Sequence, residues 1–179
     1  MDEDRPEVSG PVDLTATLLA AWRTNHRVTV FLVRHIPTAI WAAPIPGVQR
    51  KTIGMLAGHL HNARCTWLKT LARPLGIPVP AAVDRRKASR HEVVAALNRS
   101  SRGVEALLRW GCRSGGEIPA TRAYTWRNLQ LDVGHVLTYL AVHEGHHRGQ
   151  IVLAARQLGV PLPAEVTSGL WQWKQRAAE

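Results

Sequence analysis

At 179 residues the chain suits one domain, and that length buries a core without help from disulfides or a structural metal. An apolar fraction of 45% with no apolar run near the ~18 residues of a membrane span argues against a membrane protein. The two cysteines, Cys65 and Cys112, form neither a CxxC motif nor zinc-finger spacing, which excludes a disulfide framework and reads as two packed, reduced thiols. The formal charge is +10, yet its arginines are scattered, with only short clusters such as Arg85-Arg86-Lys87. A solvated basic surface is therefore expected, with no nucleic-acid partner. Preference for an anionic small substrate is a secondary option.

The acidic opening, MDEDRPEVSG, lacks the basic-then-apolar pattern of a secretion signal. Residues 1–12 read as a tail ahead of one domain over 13–179, and a cytoplasmic location is expected. Proline and glycine then divide the chain into helical blocks. The first runs from about Asp13 to His35 and stops at Ile36-Pro37, because the residue before proline is driven out of helical geometry. A Pro/Gly-rich connection leads to a second block from about Thr52 to Arg73, ended by Pro74. A loop with four Pro/Gly punctuators reaches Ser89, which forms a capping-box signature with Glu92 and starts a third block over about Arg90 to Trp110. The fourth and longest spans about Leu129 to Leu158, closed by Gly159 and Pro161. A short helix is expected at Ala164 to Arg176. No segment alternates like a strand. Four long amphipathic blocks point to an all-α, antiparallel four-helix bundle, and the long second connection leaves room for a crossover.

Block four carries the chemistry. Its apolar ridge reads Val133, Val136, Leu140, His143, His147, Ile151, Ala154, Leu158, in steps of 3, 4, 3, 4, 4, 3 and 4. Two imidazoles stand where the pattern calls for leucine, at i and i+4, so their rings point at one spot. Left unpartnered in a core, each polar atom would cost roughly 1–3 kcal/mol. A shared metal ion removes that penalty, since neutral imidazole is a preferred ligand of zinc, nickel, copper and iron. A third ligand must come from another helix. His59 and His61 in block two lie ~200° apart, so one ion cannot take both. With the buried face marked by Leu56, Leu60, Ala63, Trp67 and Leu71, His59 sits on its border and His61 further round, which favours His59. Three histidines leave coordination positions open, as catalytic rather than structural sites do. Such a site can lower the pKa of bound water or bind a thiolate. Glu144, His146 and His61 are second-shell or pocket candidates, with Glu144 and His146 expected to face solvent. His26, His35, His91 and His135 show no partner spacing. Trp22, Trp67, Trp126 and Trp171 read as packing residues.

With those residues on the page, the chain resembles the DinB/YfiT-like superfamily of metal-binding bundles. The likeness rests on TIGMLAGHLHNAR at Thr52–Arg64 and YLAVHEGHHRGQI at Tyr139–Ile151, with its HxxxHRGQ element, followed by Leu170-Trp171-Gln172-Trp173. It implies an up-down-down-up four-helix bundle, often a homodimer, with zinc, nickel or a similar ion on His59, His143 and His147. It also implies thiol-dependent chemistry on a small molecule: transfer of a low-molecular-weight thiol to an electrophile, or thiol-dependent isomerisation.

Two other readings stand beside this one. His143-Glu144-Gly145-His146-His147 is formally HExxH, the zinc-protease pattern in which the glutamate is general base, and Glu165 lies downstream as a formal third ligand. The metzincin extension and any peptide-holding edge strand are missing. The other is a non-catalytic metal-binding stress-response bundle.

Overall fold

The computed structural model describes residues 11–179 except Gln49, Ala123 and residues 125–127; residues 1–10 of the tail expected over 1–12, and Trp126, lie outside the described residues. Among the described residues it holds seven helices and no strand. Four are long: α1 (Leu14–His35), α3 (Ile53–Leu71), α4 (Arg90–Arg113) and α5 (Val133–Gln157). Three are short: α2 (Thr38–Trp41), α6 (Ala164–Gly169) and α7 (Trp173–Ala178). None is long and apolar enough to cross a membrane.

The helix ends follow local chemistry. Asp13 caps α1 by accepting the Ala16 N–H at 2.9 Å, and Thr52 caps α3 through Met55 N–H at 3.2 Å. Ser89 and Glu92 close the capping box of α4 in both directions. At the far end of α5, Gly159 at φ 72° lets the Val160 N–H reach back to the Ala155 carbonyl at 3.0 Å. Several boundaries differ from the sequence reading, among them the end of α4, which runs through Gly111 to Arg113 rather than stopping at Trp110, and the end of α3 at Leu71 rather than Arg73. Helix α5 starts at Val133 rather than Leu129, because Asp132 is its cap and accepts the His135 N–H at 2.9 Å. The last expected helix is two, interrupted between Gly169 and Trp173.

Cross-helix contacts fix the topology. Trp22 donates to Ser101, His26 meets Asn98 and Arg90 reaches the Ile36 carbonyl, so α1 and α4 run antiparallel. Helix α3 opposes α5, since His59 meets His147 whereas Trp67 meets Tyr139. Helices α3 and α4 run the same way: His61 bonds Ser100 and Gly103 packs on Leu68. The bundle is up-down-down-up. Parallel neighbours need a return path, and residues 72–89 supply it along the outside of α3. Asn62 clamps that segment, accepting from Val83 N–H at 2.9 Å and donating to its carbonyl at 3.0 Å.

The core is layered along the bundle axis. One apolar cluster gathers the end of α1 with the starts of α3 and α4 and the end of α5, around Val33, Leu60, Leu97 and Ile151. The other gathers the opposite ends, around Trp22, Leu68, Leu108 and Leu140. Between them lies a belt of buried polar side chains from all four helices: Asn25 and Thr29, His61 and Arg64, Ser100 and Ser101, and Glu144. At its centre the Arg64 guanidinium grips the Glu144 carboxylate at 2.7 and 2.9 Å, with both side chains 1% exposed. Asn25 and Thr29 also donate to Glu144 Oε2, at 3.0 and 2.7 Å. Burial alone would raise the Glu144 pKa, but the Arg64 charge and these donors hold it below the usual carboxylate range.

Each fixed charge in this belt exists because its partner does. Replacing Arg64 by Met should destabilise the fold by about 3–5 kcal/mol, because it leaves Glu144 charged and buried. Arg64→Met with Glu144→Leu should recover most of that loss in urea unfolding. A single variant as stable as wild type would show that the pair does not hold the helices.

His26 gives the belt a pH response. Arg64 donates to its Nδ1 at 3.2 Å, so the ring is neutral with Nε2–H donating to Asn98 at 3.0 Å. Burial, then the Arg64 charge, pulls its pKa down to about 4. The unfolded chain takes up this proton near pH 6.5 and the fold resists it until about 4, so acidification through that window favours unfolding. Unfolding free energies of metal-free protein between pH 7 and 4.5 should fall more steeply in wild type than in His26→Gln. Parallel curves would remove His26 as a source of acid lability.

Candidate metal centre

The triad lies beside the polar belt, where α3 faces α5. On α5, residues 143 and 147 are one turn apart, and the Glu144 anchor turns that face toward α3. On α3, His59 stands just over one turn before Arg64 and so emerges opposite the pair. The His59 ring centroid is 5.4 Å from that of His143 and 4.6 Å from that of His147. One nitrogen from each ring can be chosen so that all three lie within 4.8 Å of one another. His143 Nε2 and His147 Nε2 are already 3.2 Å apart. Two ligands on one tetrahedral zinc ion at ~2.0–2.1 Å stand about 3.3 Å apart, so the pair fits an ion now. The third nitrogen reaches the same spacing by moving at most about 1.5 Å, from the 4.8 Å limit to about 3.3 Å, within reach of a ring rotation. Three histidines here can hold a metal ion.

The electrostatics suit a cation. Desolvation lowers the pKa of all three rings. His59 falls to about 4, through burial first, then the neighbouring His147 and His143, with the Arg85 and Lys51 charges adding to it. For His147 a hydrogen bond to Gln150 works against burial. Neutral rings at pH 7 offer lone pairs rather than protons. Gln150 settles which lone pair His147 offers: its Oε1 accepts from Nδ1 at 2.7 Å, leaving Nε2 free for the ion. Tyr139 stacks on His143 with centroids 6.0 Å apart and planes 18° from parallel.

The other candidates are placed differently from one another. His146 is exposed, with its ring centroid 5.0 Å from that of His147, and accepts from Gln150 Nε2 at 2.9 Å. His61 does not join the triad. It is fully buried on the α4 side, donating to the Ala81 carbonyl at 2.9 Å and bonding Ser100 Oγ at 3.0 Å. The sequence placed it further round from the buried face, because the helical pattern alone does not reveal that the return segment covers it. Glu144 likewise points inward, not to solvent. Its oxygens are taken by Arg64, Asn25 and Thr29, which leaves no free base for an HExxH mechanism, and Glu165 on α6 is exposed. Cys65 and Cys112 are free thiols, and burial pushes the Cys65 thiol up. Trp22 is buried, Trp67 half-buried against Tyr139, and Trp171, expected to pack, is 83% exposed. Sequence reasoning gave no role to Gln150, although it closes the HRGQ element, nor to Arg64, Asn25, Thr29 and His26, because an inward-facing polar residue has no periodic signature of its own.

The DinB family model matches residues 11–176. A crystal structure of a protein from Exiguobacterium sibiricum 255-15 assigned to the same family superposes with a TM-score of 0.58 at 19% identity, covering 88% of this chain and 99% of that one. At that identity the likeness is one of fold. No curated protein matches the chain.

Gln150→Leu should weaken metal binding about 10–100-fold by freeing the His147 tautomer, with the fold intact by circular dichroism. Competition against a chromophoric chelator measures it, and an unchanged affinity would remove Gln150 from the site.

Proposed function

This chain belongs to the DinB family, and from that premise we propose that it is a metal-dependent enzyme joining a low-molecular-weight thiol to a small electrophile, or isomerising a substrate with that thiol's help. The observation that carries the proposal is the trio of neutral, half-buried imidazoles, with no fourth protein ligand among the described residues. Structural zinc sites are usually closed by four protein ligands, so a set of three favours catalysis. Zinc or nickel suits an all-imidazole set. Bound there, such an ion favours the thiolate over the thiol at neutral pH. Such a thiolate would be the nucleophile for an electrophilic carbon: its lone pair would make the C–S bond while the leaving group departs with its own pair, or while the π pair of a double bond shifts to the far atom and takes up a proton.

The chain's own residues supply the rest. Gln150 and the Glu144 anchor orient the rings, and Trp67 with Tyr139 forms an aromatic wall on the His143 side. The reading carries with it a cytoplasmic location and a homodimer.

Purified wild-type protein should carry about one divalent ion per chain by elemental analysis, and His143→Ala should carry none. With bacillithiol, mycothiol and glutathione offered against monobromobimane, wild type should accelerate conjugation with at least one thiol and His143→Ala with none. Metal without thiol-dependent turnover would leave a non-catalytic metal-binding bundle, and absence of metal would end the reading.

A further inference from the structure

A cavity of about 460 Å³ opens one helical turn from the triad, between the start of α3 and the two loops that flank it. It is lined by four cations, Arg50, Lys51, Arg85 and Arg86, and, among the described residues, by no carboxylate. None of the four has an ion-pair partner among the described residues, in contrast to Arg23, Arg64 and Arg109, each of which pairs with a glutamate. A charged surface normally intersperses both signs, so four unneutralised cations around one concavity are a local field in search of an anion.

The cavity is built, not incidental. Its floor is α3, where Met55 lies one turn before His59 on the same face. Gly54 and Gly58, also one turn apart, let neighbours approach the backbone. A Cβ on Gly54 would sit 2.7 Å from the Trp41 ring, and one on Gly58 would sit 3.1 Å from Arg85 Cγ. The root of Arg85 is therefore seated close against α3, where a Cβ at position 58 would press on it. Asn62 clamps Val83 just before it, and the Asp84 carboxylate accepts the Arg86 N–H at 3.0 Å, which fixes the turn carrying both arginines. Across the cavity, Arg50 holds φ 59°, a left-handed conformation uncommon outside glycine, and that costs free energy wherever it persists. The charges reach the triad: Arg85 and Lys51 both bear on His59, and Lys51 also bears on His147.

We propose that this cavity binds the anionic end of the substrate, a small dianion of carboxylate or phosphate chemistry, on Arg50, Lys51, Arg85 and Arg86, and so presents its other end to the triad. Planar guanidinium forks suit both groups bidentately, and Lys51 adds a point charge on the triad side. Only the orientation toward the triad rests on the thiol-transfer reading; the binding of the dianion stands without it.

Calorimetry on the metal-loaded protein at low ionic strength, with succinate, methylphosphonate and uncharged succinamide as probes, tests this. One or both dianions should bind and succinamide should not, and the tighter of the two names the chemistry. Arg85→Gln with Arg86→Gln should weaken the dianion at least about tenfold, whereas Arg102→Gln with Arg109→Gln, on a different face, should change it less than about twofold. Should the first pair fail to fold, Arg50→Gln with Lys51→Gln on the opposite wall carries the same expectation. His143→Ala should keep the affinity. No dianion binding to wild type, equal loss in the control pair, or affinity that vanishes with the metal in His143→Ala overturns the assignment. Dianion binding without thiol turnover sinks the transfer reading alone; turnover with indifference to dianions sinks the cavity alone.

Discussion

One buried carboxylate sets the geometry of this bundle. Glu144 sits where two apolar clusters meet, and α1 and α3 both close on it. A charge at that depth is tolerable only with a countercharge and full hydrogen bonding. That requirement fixes the rotation and height of α5: a one-residue slip would turn Glu144 by about 100° and strand both partners. His143 precedes Glu144 and His147 precedes Arg148, which donates to Asn25 and Thr29 at 2.9 and 2.8 Å. The face of α5 that carries His143 and His147 is thus aimed by the residues next to each of them. On α3, Arg64 does the same for His59 from just over one turn away.

Fold and site differ in how openly the sequence declares them. Pro37, Pro74, Gly159 and the Ser89–Glu92 box end or begin helices by local chemistry, so the four long elements could be read directly. The expected start of α5 at about Leu129 lies ahead of the observed one, because the true start is marked by Asp132, a cap whose signal is one residue long. The histidine pair stood out because it interrupts an apolar ridge. Glu144 and His61 did not, for a common reason: their burial is imposed by other segments. Glu144 is inside only because Arg64 meets it, and His61 only because residues 72–89 return along its helix. Helical periodicity sees one helix at a time, and both facts belong to pairs.

The five letters from His143 to His147 match a zinc-protease motif, yet the fold spends them differently. In that motif the glutamate must face the ion with a free lone pair. Here it faces the opposite way, into the bundle, with its oxygens held by Arg64, Asn25 and Thr29, so it reaches His143 and His147 only through its field, which works against their desolvation. The motif therefore describes a spacing, and the helix's rotation decides the chemistry.

That pairing has an electrostatic consequence for the whole centre. The three rings are neutral at pH 7, and Glu144 beside them is paired with Arg64. A divalent ion held by the three rings would keep its full charge, where carboxylate or thiolate ligands would reduce it. The cavity at the start of α3 is lined by four cations and, among the described residues, by no acid. The Arg85 and Lys51 charges oppose a proton on His59, whereas Glu144 acts the other way on His143 and His147. Burial is the first cause in all three rings, and it keeps them neutral and available as ligands. Four cations around one concavity set up a potential that favours negative charge there before any contact of shape is made.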